Sequence, residues 1–520
     1  MNRTQPRHLH RWWYLPLLLL VANGCTPGSS TVAADASAKS FAQCGPGSLP
    51  EGSIQGEVPL ADRRNGRNLQ GYRCNLELVG QYQGQGASWV NPSLGHCAYM
   101  ATSDLGQSNN PSPGVQVIDV SDSSAPTLST TLTSPAMLTG PWESLKVNAA
   151  RQLLGGAAGG LVIGAGFFDV YDISGDCAHP RHLNVNRSGV EIPDNWLGHE
   201  GNWSPDGLTY WSTGLVAGTL TAIDVSNPQT PKILYIGHAG APYNHGLAIS
   251  EDGTRLYMSS LSPAGVYIYD VSDIQNRAPT PTITLIGQVT WADGGGTQHV
   301  IPVTYGGKPY LIVPSELQEQ GIYFIDISDE TQPKVVSQLR LQIQLPENLA
   351  LYKQDTAGDG LFGYEAHYCT VDRSDSPTAL ACGFLQSGVR VFNIVDPLSV
   401  HEIAYFNPPA QMGKAAELPG SEHGAGWYKV PMLSLILFSK STPSALGLDL
   451  YRPSANDISV AGRMFDVRDS NPHGDSSPSP DLYADWCSSP PRFVGDQLWV
   501  TCQDNGFMVL KFTNGVYPIQ

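Results

Sequence analysis

Val115-Gln-Val-Ile-Asp119-Val-Ser-Asp is a short apolar, β-branched run ending in turn-forming residues, and it is not alone. The phrase returns as Phe-Asp-Val-Tyr-Asp172-Ile-Ser, Leu-Thr-Ala-Ile-Asp224-Val-Ser-Asn-Pro and Val-Tyr-Ile-Tyr-Asp270-Val-Ser-Asp. Further copies are Ile-Tyr-Phe-Ile-Asp326-Ile-Ser-Asp, Val-Arg-Val-Phe-Asn393-Ile-Val-Asp-Pro and the degenerate Phe-Met-Val-Leu-Lys511-Phe. The intervals between these positions are 53, 52, 46, 56, 67 and 118 residues, and a period near 50 is the mark of a propeller or a similar array. Each apolar run suits a strand buried on both faces, and each Asp-x-Ser tail can bond its own backbone to close a turn.

Two strand-like runs precede each phrase and one follows it, such as Pro-Lys-Ile-Leu-Tyr-Ile-Gly, whose proline suits the start of an outer edge strand. Four strands per repeat make one blade. The last repeat lacks an outer strand, while residues 75–84, Asn-Leu-Glu-Leu-Val-Gly-Gln-Tyr-Gln-Gly, form one with no blade before it. The expected fold is an all-β, seven-bladed β-propeller occupying residues 75–520 and closed by this N-terminal outer strand, which removes the open edges. Insertions near 342–363 and 410–483 break the period, and both should emerge on one face. The phrases resemble the LVIVD repeat of bacterial and archaeal surface propellers, a resemblance that implies this fold and an exported location but no settled activity.

The N-terminus reads as an address. Three arginines precede the apolar run Trp12–Ala22, which is too short to span a bilayer and has the length of a signal-peptide core. It ends in Ala-Asn-Gly-Cys25, which resembles a bacterial lipobox, so residues 1–24 are expected to be a lipoprotein signal, Cys25 the lipidated residue, and 25–74 a flexible tether and extension. Ordinary signal cleavage is the alternative. Removing residues 1–24 changes the formal charge from −17 to −20, since three bases and no acids leave with them. So acidic a chain disfavours nucleic acid as a partner. The membrane is expected to be met only through the lipid, and the partner would be a protein or small-molecule ligand.

Apart from Cys25 there are eight cysteines, which in an exported chain suggests disulfides. Spacing pairs Cys369 with Cys382 and Cys487 with Cys502 on neighbouring strands, and leaves the partners of Cys44, Cys74, Cys97 and Cys177 open.

Four histidines recur in register: His199, His245, His299 and His367 lie 25, 25, 27 and 26 residues before the Asp or Asn of their phrases. Equivalent positions in a propeller are related by rotation about its axis, so these side chains should ring the channel mouth. Glu143 joins by the same alignment, 29 residues before Asp172, as does Asp485, 26 before Lys511. Imidazoles mixed with carboxylates suit a transition metal, copper or zinc, or a polarised small-molecule site. Glu143 and Glu200 are the candidate proton-handling residues. The alternative is that each histidine only pins a loop. Placement of histidines on inner strands is similar to that in selenium-binding propellers of the methanethiol oxidase type, which implies histidine-bound copper; their longer cysteine motifs are absent. Two functions follow: an exported binding or interaction module with a metal or small ligand at the channel mouth, or a histidine-ligated oxidase or hydrolase of a small molecule.

Overall fold

Every repeat phrase forms the third strand of an antiparallel sheet in the computed structural model, and seven such sheets make the ring. The structure describes residues 41–101, 113–159, 166–185, 198–214, 218–239, 243–291, 296–316, 319–356, 362–411, 418, 420–421 and 484–519. The expected signal segment, Cys25 and most of the second insertion lie outside them. No described helix is long and apolar enough to cross a membrane.

Blade 4 is typical. Tyr243–Ile249 is innermost, followed outward by Arg255–Ser262, Ala264–Asp270 and Thr284–Thr290. Its third strand is buried from Ala264 to Tyr269, and only Asp270 reaches the surface. Val266 and Ile268 pack across to Leu311, Val313, Tyr323 and Ile325 of blade 5. Each such side chain contributes roughly 1.5–3 kcal/mol by burial, and blade-to-blade contact is where that burial occurs. The aspartate that ends five of the phrases closes its turn: Asp119 Oδ1 accepts from the Ser121 amide at 2.8 Å and its hydroxyl at 2.6 Å, and Asp172, Asp224, Asp270 and Asp326 each accept from the amide of the serine two residues on.

Leu76–Tyr82 pairs antiparallel with Gly506–Phe512, from Leu76 opposite Phe512 to Tyr82 opposite Phe507. The N-terminal strand therefore completes the seventh blade, and seven blades close the ring.

Residues 41–75 add a fifth strand to the sixth blade, Tyr72–Cys74, paired with Asn407 to Tyr405. The Cys44–Cys74 disulfide and the helix Leu60–Asn65 belong to the same segment. Its anchor is Arg390, fully buried on the third strand of blade 6. Arg390 meets Glu51 of the extension at 2.5 Å and Glu402 of the outer strand at 3.1 Å. The described part of the first insertion folds as the helix Leu349–Asp355, and Asp355 accepts the Leu60 amide at 3.0 Å. Extension and insertion thus hold one another against blade 6.

Four disulfides are formed: Cys44–Cys74, Cys97–Cys177, Cys369–Cys382 and Cys487–Cys502. Cys369 and Cys382 face each other across neighbouring strands, as their spacing indicated. Cys97–Cys177 ties blade 1 to the loop before the outer strand of blade 2.

Candidate metal centre

His199 and His245 stand at irregularities of the innermost strands, while His299 and His367 lie just before theirs. In blade 3 the pairing of Gly198–Trp203 with its neighbour shifts register between Gly198 and Glu200, around His199. In blade 4 it shifts between Asn244 and Leu247, around His245. Such bulges re-aim a side chain, here toward the channel. Gly246 follows His245 because a Cβ there would collide with the Glu200 carboxylate, the Gln298 carbonyl and His299. Glu143 arrives between the helix Pro135–Thr139 and the strand Lys146–Asn148, held by an isolated bridge to Glu200.

Three imidazoles and two carboxylates meet there. His199 Nε2 lies 2.8 Å from His245 Nε2 and 3.0 Å from Glu143 Oε2. His245 Nε2 lies 3.2 Å from Glu316 Oε1, and His367 Nε2 lies 3.0 Å from Glu143 Oε1. All five residues are buried. The far ring nitrogens explain the orientation. His245 Nδ1 is 2.8 Å from the Gln298 carbonyl and His367 Nδ1 is 2.9 Å from the Ser488 carbonyl. A carbonyl can only accept, so each Nδ1 carries a proton and each ring turns its Nε2 to the centre, the nitrogen that a metal ion would take once its own proton is displaced.

The charges are strongly coupled. Burial alone would push His245 down, but Glu316, Glu200 and Glu143 outweigh it and hold the imidazole at about 10. Burial opposes His367 likewise, yet Glu143 and Glu316 raise it to about 9. Burial would raise Glu143, and His199 and His367 instead pull it well below the ordinary carboxylate range. An incoming cation would displace protons from the imidazoles and take their place beside the carboxylates.

Of the residues nominated from sequence, His199, His245, His367 and Glu143 come together. Glu200 stands one layer away, its Oε2 3.7 Å from His245 Nδ1 and its Oε1 3.6 Å from Lys146 Nζ. His299 is not in the cluster: its Nε2 lies 3.2 Å from the Cys369 carbonyl, and its ring packs on Tyr368 with centroids 4.6 Å apart. Burial, with the nearby Lys146 charge, lowers His299 to about 3, so it is neutral. The inward place in blade 5 belongs to Gln298, in the segment just before the inner strand Ile301–Tyr305, with its Nε2 2.8 Å from Glu143 Oε1 and 3.0 Å from His367 Nε2. Asp485 pins a loop, accepting the amides of Trp486, Asp504 and Asn505. Glu316 was not nominated: it follows the second strand of blade 5, Lys308–Pro314, and its amide bonds the Gly296 carbonyl at 2.9 Å. Trp142 and Trp89 wall the site, with rings 4.5 Å from His199 and 4.9 Å from His367.

Among known proteins, the LVIVD repeat model matches residues 112–133, the first phrase and its outer strand. No curated protein matches the chain. Solved structures similar to it include a Lactobacillus plantarum protein, 14% identical, covering 60% of this chain and 82% of its own, with a TM-score of 0.45. A Pseudomonas aeruginosa periplasmic gluconolactonase is 15% identical over 61% of this chain and 82% of its own, with a TM-score of 0.43. A protein of unknown function from Desulfotomaculum acetoxidans is 13% identical over 62% of this chain and 90% of its own, at 0.41. Likenesses this distant carry no weight for activity. Four disulfides and a repeat typical of surface proteins point to a place outside the cytoplasm. The chain is a seven-bladed β-propeller carrying the LVIVD repeat.

Proposed function

We propose that this protein is an exported, lipid-anchored binding propeller whose channel mouth holds a divalent transition metal through His199, His245, His367, Glu143 and Glu316. One observation carries the proposal: three buried Nε2 atoms face two buried carboxylates, and backbone carbonyls on Nδ1 hold two of the three rings with Nε2 turned inward. Mixed nitrogen and oxygen donors suit zinc, copper, iron or manganese more than calcium. Glu143 is then a ligand, not a free base. The amino-terminal Ala-Asn-Gly-Cys25 supports the anchor, and Cys25→Ser should move the protein from the membrane fraction to the soluble one. Elemental analysis of the tag-free full chain, beside a His199→Ala/His245→Ala variant, tests the centre. At least one metal ion per chain, lost from a variant that keeps its melting transition, is expected; a wild type that neither carries nor takes up metal would refute it.

A metalloenzyme is favoured by one further observation. The partly exposed Lys146 pairs with Glu200, which stands beside His245, and so places a proton donor and an acceptor one layer from the metal ligands. That role predicts turnover of a small ester or thiol by the metal-loaded protein, and its loss in Lys146→Met without loss of metal.

A further inference from the structure

The five ligand groups do not converge on a single point. Their atoms fall into two sets, Glu143 with His199 and His245, and Glu143 with Glu316 and His367, the atoms of each set lying within 4.8 Å of one another. Glu143 divides its oxygens between them. Its Oε2 is 3.0 Å from His199 Nε2 and 3.6 Å from His245 Nε2, while its Oε1 is 3.0 Å from His367 Nε2. Glu316 does the same, with Oε1 3.2 Å from His245 Nε2 and Oε2 3.5 Å from His367 Nε2. Two carboxylates therefore each present one oxygen to the same two histidine groups.

We propose that the centre is dinuclear, with two divalent transition-metal ions bridged by the Glu143 and Glu316 carboxylates. The inference rests on the metal-centre proposal above and deepens it. A carboxylate that binds one ion through each oxygen spans a pair about 3.5–4 Å apart, the separation of two-metal sites. The first ion takes His199, His245 and one oxygen from each glutamate, two nitrogens and two oxygens. The second takes His367 and the two remaining oxygens. Its fourth donor is Gln298, whose amide lies 2.8 Å from Glu143 Oε1 and 3.0 Å from His367 Nε2. The Gln298 side-chain oxygen Oε1 is buried with no hydrogen-bond partner, and a half-turn of the amide brings it to face the second ion. Two carboxylates against two dications leave the pair positive, so it would also hold a shared anion, hydroxide at its simplest.

The unequal halves make the test specific. The tag-free full chain is stripped with chelator, loaded with Mn(II), desalted and assayed for metal and by electron paramagnetic resonance. Two ions per chain and an exchange-coupled signal are expected. His367→Ala should fall from two ions to one and give the uncoupled six-line signal. Glu316→Gln, a smaller change in volume, should likewise lose coupling if His367→Ala does not fold. One ion in the wild type with an uncoupled spectrum would overturn the dinuclear proposal and leave a mononuclear centre. No bound ion, with zinc and copper failing as well, would overturn the metal centre itself.

Discussion

Replacing Arg390 by methionine tests whether residues 41–75 are locked to the ring by charge. The Arg390 side chain is fully buried; its guanidinium meets Glu51 at 2.5 and 3.0 Å and Glu402 at 3.1 Å, and its Nε donates to the Ser387 carbonyl at 2.9 Å. Methionine fills much of the volume but leaves two buried carboxylates without their cation. Breaking a buried pair in this way costs about 3–5 kcal/mol. The loss is limited by whatever it takes to peel the extension off blade 6, because local release would rehydrate Glu51. The cost also has a pH sign. Burial already holds Glu402 above the ordinary carboxylate range although Arg390 opposes it, so removing the arginine raises it further. A carboxyl raised in the folded state destabilises when ionised, and the penalty grows as pH rises from the unfolded pKa through the folded one. Arg390→Met should therefore cost most at pH 8 and least near pH 5, and Glu402→Gln in the same chain should recover part of it. Denaturant unfolding at both pH values measures the cost. Hydrogen exchange at the Leu49 and Arg73 amides, which pair with each other at 2.8 Å, reports release of the extension. A cost below 1 kcal/mol at pH 8, or an equal cost at both pH values, would refute the lock.

Three further outcomes follow from the same structure. Burial, and then the neighbouring Asp355, raise Glu57 to about 7; its ionisation thus opposes folding between pH 4.5 and 7, and Glu57→Gln should stabilise the protein at pH 8 by about 1–3 kcal/mol but not at pH 5 in paired denaturation curves. Loop-closure entropy makes Cys97–Cys177, separated by 80 residues, worth more than Cys369–Cys382, separated by 13: the cysteine-to-serine pairs should cost about 4–5 and about 3 kcal/mol, and the reverse order in thermal melts would count against it. Gly246→Ala, by pressing on Glu200 and Gln298, should lower metal content while His299→Ala leaves it unchanged, both read by elemental analysis of folded protein.

The ring was legible because its information is local. Each phrase carries its own apolar strand, and five of the seven their own aspartate-closed turn, so seven copies announce seven blades, and the unpartnered strand at 76–82 announces how they close. The extension at 41–75 was not legible as a docked element. Its partners Arg390, Glu402 and Tyr405 lie more than 300 residues away in sequence, and neither a period nor an alternation connects them. The cysteines show the same divide: the pairs within a blade were readable from spacing, whereas Cys44–Cys74 closes the docked extension and Cys97–Cys177 joins two neighbouring blades, contacts that no repeat encodes.

The centre was readable to the extent that it repeats. Register with the phrase found His199, His245 and His367, since rotation about the axis carries one inner-strand position to the next. Counting could not decide which of two consecutive residues faces inward, so in blade 5 it selected His299 where the chain entering the inner strand turns Gln298 to the centre. It could not find Glu316, which comes from the end of a second strand and has no counterpart in register. These departures bear on the choice between ligand and loop pin. A histidine kept to pin a loop should spend its nitrogen on backbone, as His299 spends Nε2 on the Cys369 carbonyl. His245 and His367 bind backbone through Nδ1 alone and hold Nε2 on the carboxylates, beside a glutamate recruited from outside the repeat. Loop pinning would reproduce one arrangement in every blade. Unlike residues from blades 2 to 6 meet instead in one buried cluster of two donor sets, which favours ligation over loop pinning.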